Sequence, residues 1–318
     1  MTKNIIWGIT GRGMGNSNRK FNLAGTAFAV LSLFCGVPGP LVIKYIAPFI
    51  DFWTQNFLRY VVAVAILLPF VLLSQKKAVF DKNIWRKALI IAFINVIMQC
   101  CWGAAFYYIN PAFITLLAKS SILWTSAISL IFFVDERPLV KSWAFWSAFF
   151  IVIIGIVGVT VFKQDFSTKA SITGIVLTLG FAFSWAIYTI AIKVLLKDSD
   201  STTSFAIVSV YTAVALGVLA FFFGRPVQCL NLSMNLWALL TFSAATSIAA
   251  SHVTYYSAIK RIGSTIPPLV VLAQPFLVLL VSRVIFNEHL NGPQWFFGLL
   301  LVAGAALAIK AQESLGKQ

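Results

Sequence analysis

STIPPLVVLAQPFLVLLVSRVIFNEHLNGPQW (Ser264–Trp295) is a long apolar run with almost no charge, closed by an acid and an aromatic. A relative lies earlier in the chain, AFITLLAKSSILWTSAISLIFFVDERPLVKSW (Ala112–Trp143). Ala112 falls on Ser264, Glu136 on Glu288 and Trp143 on Trp295. A second pair supports the copy: AGTAFAVLSLFCGVPGPLVIK (Ala24–Lys44) against TGIVLTLGFAFSWAIYTIAIK (Thr173–Lys193) superposes Gly25 on Gly174 and Lys44 on Lys193. The chain therefore reads as one unit written twice.

Composition decides the solvent. The 318 residues are 60% hydrophobic and only 10% charged, with a mean hydropathy of +0.91. Soluble chains run at about 45–50% apolar and about 25% charged, so a soluble globular domain is excluded. Apolar runs recur along the whole length, each long enough to cross a bilayer core of roughly 30 Å as a helix. Backbone groups in lipid must be satisfied internally, and the alternation of a transmembrane barrel is absent, so the spans are helical. The net charge of +15 is a topology signal rather than a nucleic-acid footprint, because the basic residues sit in short loops between spans. Cys35, Cys100, Cys101 and Cys229 show no CxxC or Cys/His spacing, and neither disulfide, metal nor cofactor is expected.

Ten spans are expected: Phe21–Lys44, Phe52–Leu73, Trp85–Tyr108, Pro111–Phe133, Ser142–Phe162, Ser171–Lys193, Thr202–Phe223, Leu236–Ala258, Ile266–Phe286 and Pro293–Lys310. The fold class is thus all-α integral membrane, ten transmembrane helices as two five-helix repeats (21–163 and 164–311) between tails 1–20 and 312–318. Lys and Arg crowd one set of loops, which by the positive-inside rule places both termini in the cytoplasm, in a cell (inner or plasma) membrane. Five spans per copy is an odd number, so the second copy enters from the opposite side. Such inverted-topology repeats belong to secondary transporters, with sites near the midplane where the halves meet.

Gly174, Trp185-Ala186, Tyr188 and Lys193 in the sixth span, Arg59 early in the second, Pro275 ahead of Glu288, and Glu136 after the fourth form a recognisable set. With them the chain, from Phe21 to Lys310, resembles the drug/metabolite transporter superfamily, specifically its EamA-type ten-helix family. Cys35-Gly36 stands where that family commonly shows Trp-Gly, and Leu123 where the copy has Pro275. The resemblance implies a small-molecule carrier, in a superfamily that moves amino acids, sugars, nucleotide derivatives, phosphorylated metabolites and drugs.

Candidate substrate-binding residues follow from what is costly in lipid. Arg59 and Lys119 are cations inside spans, and insertion of such a charge costs roughly 2.5–3.5 kcal/mol. No carboxylate falls mid-span to pair with them, so a substrate carboxylate or phosphate is the expected counter-ion. For Arg59 the alternative is snorkelling toward Asp51. Asn95, Gln99, Trp102 and Phe106 share one helical face, as do Thr178, Phe181, Trp185 and Tyr188. Ser247, Ser251 and Tyr255 form a third stripe with His252 beside it. These stripes line a cavity or pack helix on helix. Gln274 beside Pro275 is a further site group, since the proline opens the hydrogen-bond ladder. His252 is the candidate proton relay. Cys35–Pro40 should break the first helix outright, with a simple kink as the milder outcome. Glu136 and Glu288, on opposite faces, are gate residues or caps of the helices that follow them.

The expected function is alternating-access secondary transport of an amino-acid-like or anionic compound, as a monomer or homodimer, driven by a coupling proton or an exchanged solute. A broad exporter of amphipathic compounds and a non-transporting receptor or scaffold are the alternatives. No acid pair, metal cluster or nucleophile points to an enzyme.

Overall fold

In a computed structural model, residues 23–75, 83–132, 142–162, 169–196, 199–262 and 266–315 are described. Among them the chain forms ten helical spans and no strand. They are α1 (Leu23–Gly36 and Pro38–Ile46), α2 (Phe52–Gln75), α3 (Ile84–Ala105), α4 (Pro111–Leu117, a 3-10 turn Ala118–Ser120, then Ser121–Phe132) and α5 (Trp143–Val161). The second repeat supplies α6 (Lys169–Leu195), α7 (Ser201–Phe223), α8 (Met234–Ser243, a π-helical stretch Ala244–Ala250, then Ser251–Ile262), α9 (Ile266–Val271 and Gln274–Phe286) and α10 (Gly292–Leu315). Six of these are long and apolar enough to cross a bilayer unaided, and shorter apolar helices accompany them. α10 continues to Leu315, into the stretch expected as a tail. The tail 1–20 and Glu136 lie outside the described residues.

The two copies interlock. Each helix packs most extensively against one from the other repeat: α1 on α8, α2 on α7, α3 on α6, α4 on α6, α5 on α10 and α9 on α1. Exchanging the halves maps this pattern onto itself: α1–α8 becomes α6–α3, α4–α6 becomes α9–α1, and α2–α7 and α5–α10 map to themselves. That is the contact pattern of a twofold-related inverted repeat. With no hydrophobic drive between helices in lipid, small residues let backbones approach. At Gly158 of α5 an added Cβ would stand 2.1 Å from the Phe297 ring of α10. The interior is a core of Tyr60, Ile91, Met98, Phe205, Leu216 and their neighbours.

The helices that line the centre are the irregular ones. Pro38 and Pro40 lack amide hydrogens, so α1 cannot complete its ladder at Phe34 and Gly36. Val37 donates its amide to Phe34 O (3.3 Å) and keeps right-handed helical angles (φ −63°, ψ −43°). The first helix is therefore kinked, not broken outright. α9 breaks ahead of Pro275 for the same reason. α4 tightens to a 3-10 turn at Lys119, with no proline or glycine to account for it, and α8 widens to a π-helix around Ser247. Such stretches are often found at functional sites.

Candidate functional site

These irregularities surround one cavity of about 220 Å³. Eight of the ten substrate-binding candidates line it: Arg59, Gln99, Trp102, Lys119, Trp185, His252, Tyr255 and Gln274.

Arg59 enters from α2 and is only 2% exposed. Its Nη2 donates to Ser247 Oγ (2.9 Å), while Nε is buried without a partner among the described residues. It does not reach Asp51, whose carboxylate instead caps α2 through the Thr54 amide (3.0 Å) and hydroxyl (2.7 Å) and accepts from Arg225 N (2.8 Å). In this structure Arg59 is bonded at the cavity and not to Asp51. Gly39 of α1 faces the same spot, where a Cβ would sit 2.7 Å from Ser247 Oγ. Only glycine lets α1 and α8 close over the arginine.

Lys119 stands at the 3-10 turn of α4 and donates to Gln274 Oε1 (3.1 Å). Gln274 in turn donates from Nε2 to Gly36 O (3.2 Å). That carbonyl is an orphan of the kink, because the residue placed to donate to it is Pro40. One chain of hydrogen bonds therefore ties together the irregular points of α4, α9 and α1. Sites in inverted-repeat carriers are commonly built from discontinuous helices of this kind.

The opposite wall is aromatic. Trp102 leans on Phe181 (4.3 Å between centroids), Phe181 on Trp185 (5.8 Å) and Trp185 on Tyr255 (6.1 Å). His252 stacks face to face on Phe205 (4.6 Å, 8° between planes) and holds Nδ1 against Ile248 O (3.1 Å). The reciprocal pair Ser32 Oγ to Ser251 O (2.9 Å) and Ser251 Oγ to Ser32 O (3.1 Å) joins α1 to α8 at the cavity edge.

Two candidates point elsewhere. Asn95 donates from Nδ2 to Tyr60 Oη (2.9 Å) and Thr212 Oγ1 (3.0 Å), within the contact of α3 with α2 and α7. Tyr188 is buried, its hydroxyl 2.7 Å from that of Tyr256. The stripes on α3 and α6 face the cavity over only part of their length, whereas Ser247, Ser251 and Tyr255 of the third all line it.

Glu288 does not cap the helix that follows it. α10 has its own reciprocal cap, Gln294 N to Asn291 Oδ1 (2.8 Å) and Asn291 N to Gln294 Oε1 (3.1 Å). Asn287, in the left-handed region (φ 52°), ends α9 and turns the chain back. The Glu288 carboxylate then accepts from Ala112 N and Phe113 N (both 3.1 Å), at the start of α4 in the other repeat, and from the Ser282 hydroxyl. A negative charge at a helix start is favourable, and here it stitches the repeats together.

Lys193, which sequence reading named in the sixth-span motif but not among the binding residues, also lines the cavity. Its place in that motif and its match to Lys44 were the available signals. Together Arg59, Lys119 and Lys193 give the cavity three cations, and among the described residues no carboxylate lines it. Among the described residues no three His, Cys, Asp or Glu side chains converge as a coordinating set.

The fold and its central cavity define a multi-pass membrane transporter of two like halves. Residues 23–161 and 172–310 each match the model of the EamA-like transporter family. The chain belongs to that family, within the drug/metabolite transporter superfamily. It is 25% identical over 171 residues to a protein of Acidianus ambivalens described as "Uncharacterized transporter in sor 3'region", covering 54% of this chain and 59% of that one. The chain thus spans less than two thirds of that curated relative. A solved structure described only as "Crystal structure of protein" superposes with a TM-score of 0.58 at 15% identity, over 89% of this chain and 96% of its own, and shares the fold.

Proposed function

We propose that this protein is a secondary transporter that carries a small organic anion, a carboxylate or phosphate compound, by alternating access. The observation that carries the reading is the pair of cations Arg59 and Lys119 on a cavity that no acid lines among the described residues. Desolvated cations without a protein counter-charge are costly, and a bound anion offsets that cost. The two repeats (21–163 and 164–311) rock about the shared cavity, with both termini cytoplasmic in the cell membrane. Energy comes from an ion gradient or from exchange.

The aromatic wall of Trp102, Phe181, Trp185 and Tyr255 favours cargo with an apolar body, and so supports a second reading, export of amphipathic compounds. Counterflow into liposomes, with labelled amino acids, organic acids, phosphorylated metabolites and neutral amphipaths, separates the two. The anion reading predicts uptake of one or more anions, reduced in Lys119→Met. Equal uptake of anions by that variant and wild type contradicts it.

A further inference from the structure

The hydrogen-bond chain through Lys119, Gln274 and Gly36 stands at the inner end of a seam. Beyond it, toward the Lys44 face, the second half of α9 (Gln274–Phe286) packs on the first half of α4 (Pro111–Leu117) and on the second half of α1 (Pro38–Ile46). Leu41, Ala112, Val278 and Leu279 fill that contact. Glu288 holds its outer end through Ala112 N and Phe113 N. Gln274 holds its cavity end, with Oε1 on Lys119 of α4 and Nε2 on Gly36 O of α1. Gly36 admits the carboxamide closely, since a Cβ there would stand 3.2 Å from Gln274 Nε2. The other half of the molecule has no such chain. The register that lays Ala112 on Ser264 lays Lys119 on Val271 and Ile122 on Gln274, and the one that lays Gly25 on Gly174 lays Gly36 on Trp185. Val271, Ile122 and Trp185 all line the cavity, but the side chains of Val271 and Ile122 neither donate nor accept.

We propose that Gln274 is a positioning residue for the transport step, a latch that holds the Lys44 face shut while the cavity is empty and that cargo drawing on Lys119 releases. This rests on the alternating-access reading above and adds to it the residue through which binding reaches the helices. Opening the Lys44 face parts α9 from α1 and α4, which breaks both bonds of the carboxamide. In a carrier of inverted repeats the halves rock about a fixed site, and the contacts that close one face are related by the repeat to those that close the other. With the other face shut, the equivalent places are Val271, Ile122 and Trp185, which form no comparable chain. The bonds of Gln274 therefore favour one facing state over the other, which is what shifts an equilibrium between two conformations. Lys119 reaches Gln274 as a point charge on a flexible stem. Cargo that draws this ammonium into the cavity loosens the latch at α4 and leaves only the bond to Gly36 O.

The test reads which face is open and needs no identified cargo. Thr115 lines the cavity from the half of α4 that lies in the seam. With Cys35, Cys100, Cys101 and Cys229 replaced by serine, Thr115→Cys is labelled in vesicles without added cargo by a membrane-impermeant maleimide confined to the Lys44 side. Labelling should be slow with Gln274 in place and about tenfold faster in Gln274→Met, which keeps the length of the side chain and loses the amide. Gly36→Ala, which crowds the carboxamide off its carbonyl, should raise the rate in the same direction. Lys119→Met should raise it too, and combined with Gln274→Met should add little, as for two partners in one contact. An unchanged rate in both Gln274→Met and Gly36→Ala, with native melting temperatures, overturns the proposal and leaves the alternating-access reading standing. So does full additivity in the double variant. Failure of both single variants to assemble also overturns it, since Gln274 would then serve folding alone. If Thr115→Cys is never labelled from the Lys44 side, with or without the latch, the alternating-access reading falls as well.

Discussion

Lys44 and Lys193 are equivalent by the internal repeat, yet their surroundings differ. Lys44, at the end of α1, donates to Phe106 O (2.9 Å) at the end of α3, among other contacts that stitch that face of the bundle. Tyr107 there donates to Ile50 O (2.6 Å), Asn56 to Gln99 O (2.8 Å), and Glu288 holds the start of α4. Lys193, near the end of α6, lines the cavity, as does Ile259 near the end of α8. The cavity therefore extends toward the face from which α1 enters, while the Lys44 face is tied by hydrogen bonds. Two copies of one unit share a topology but not their surroundings. Side chains along the cavity should govern affinity, and those at the stitched face should govern stability.

The contrast can be broken in four places. Arg59→Met removes the most buried cation of the cavity and should lower kcat/KM for an anionic substrate by about 100-fold, the scale of losing one partner of a desolvated charge contact. Lys193→Met, at a more open position, should raise KM by about tenfold with little change in melting temperature. At the stitched face the pattern should invert. Glu288→Gln keeps one acceptor but loses the charge that serves two amides and a hydroxyl, and should cost about 2 kcal/mol in detergent-solubilised stability with KM unchanged. Lys44→Met should cost about 1 kcal/mol, again without a change in KM. Melting curves and uptake kinetics on the same preparations check all four. A stitched-face variant that shifts KM as much as Lys193→Met would erase the distinction.

Much of this architecture was legible from sequence because hydropathy and repetition are local properties. The ten spans, the duplicated unit, the interior placement of Arg59 and Lys119 and the distortion at Pro38 and Pro40 all follow from residue type and spacing. What depends on helix rotation was not. Asn95 and Tyr188 lie on the same stripes as Gln99 and Trp185, yet a turn away each faces a neighbouring helix instead of the cavity. The 3-10 turn at Lys119 and the π-helix around Ser247 carry no proline or glycine to announce them. The Glu288 contact was unreadable for another reason. Local rules tie an acid to the next helix in sequence, whereas here that helix is already capped by Asn291 and Gln294, and the nearest open start belongs to α4 of the other repeat.

The most direct test of the central claim pairs each transported anion with its neutral amide. Proteoliposome uptake should favour the charged member by at least about tenfold in wild type, with Arg59→Met removing most of that preference. Equal uptake of acid and amide by wild type would contradict the assignment of the cavity to an anion.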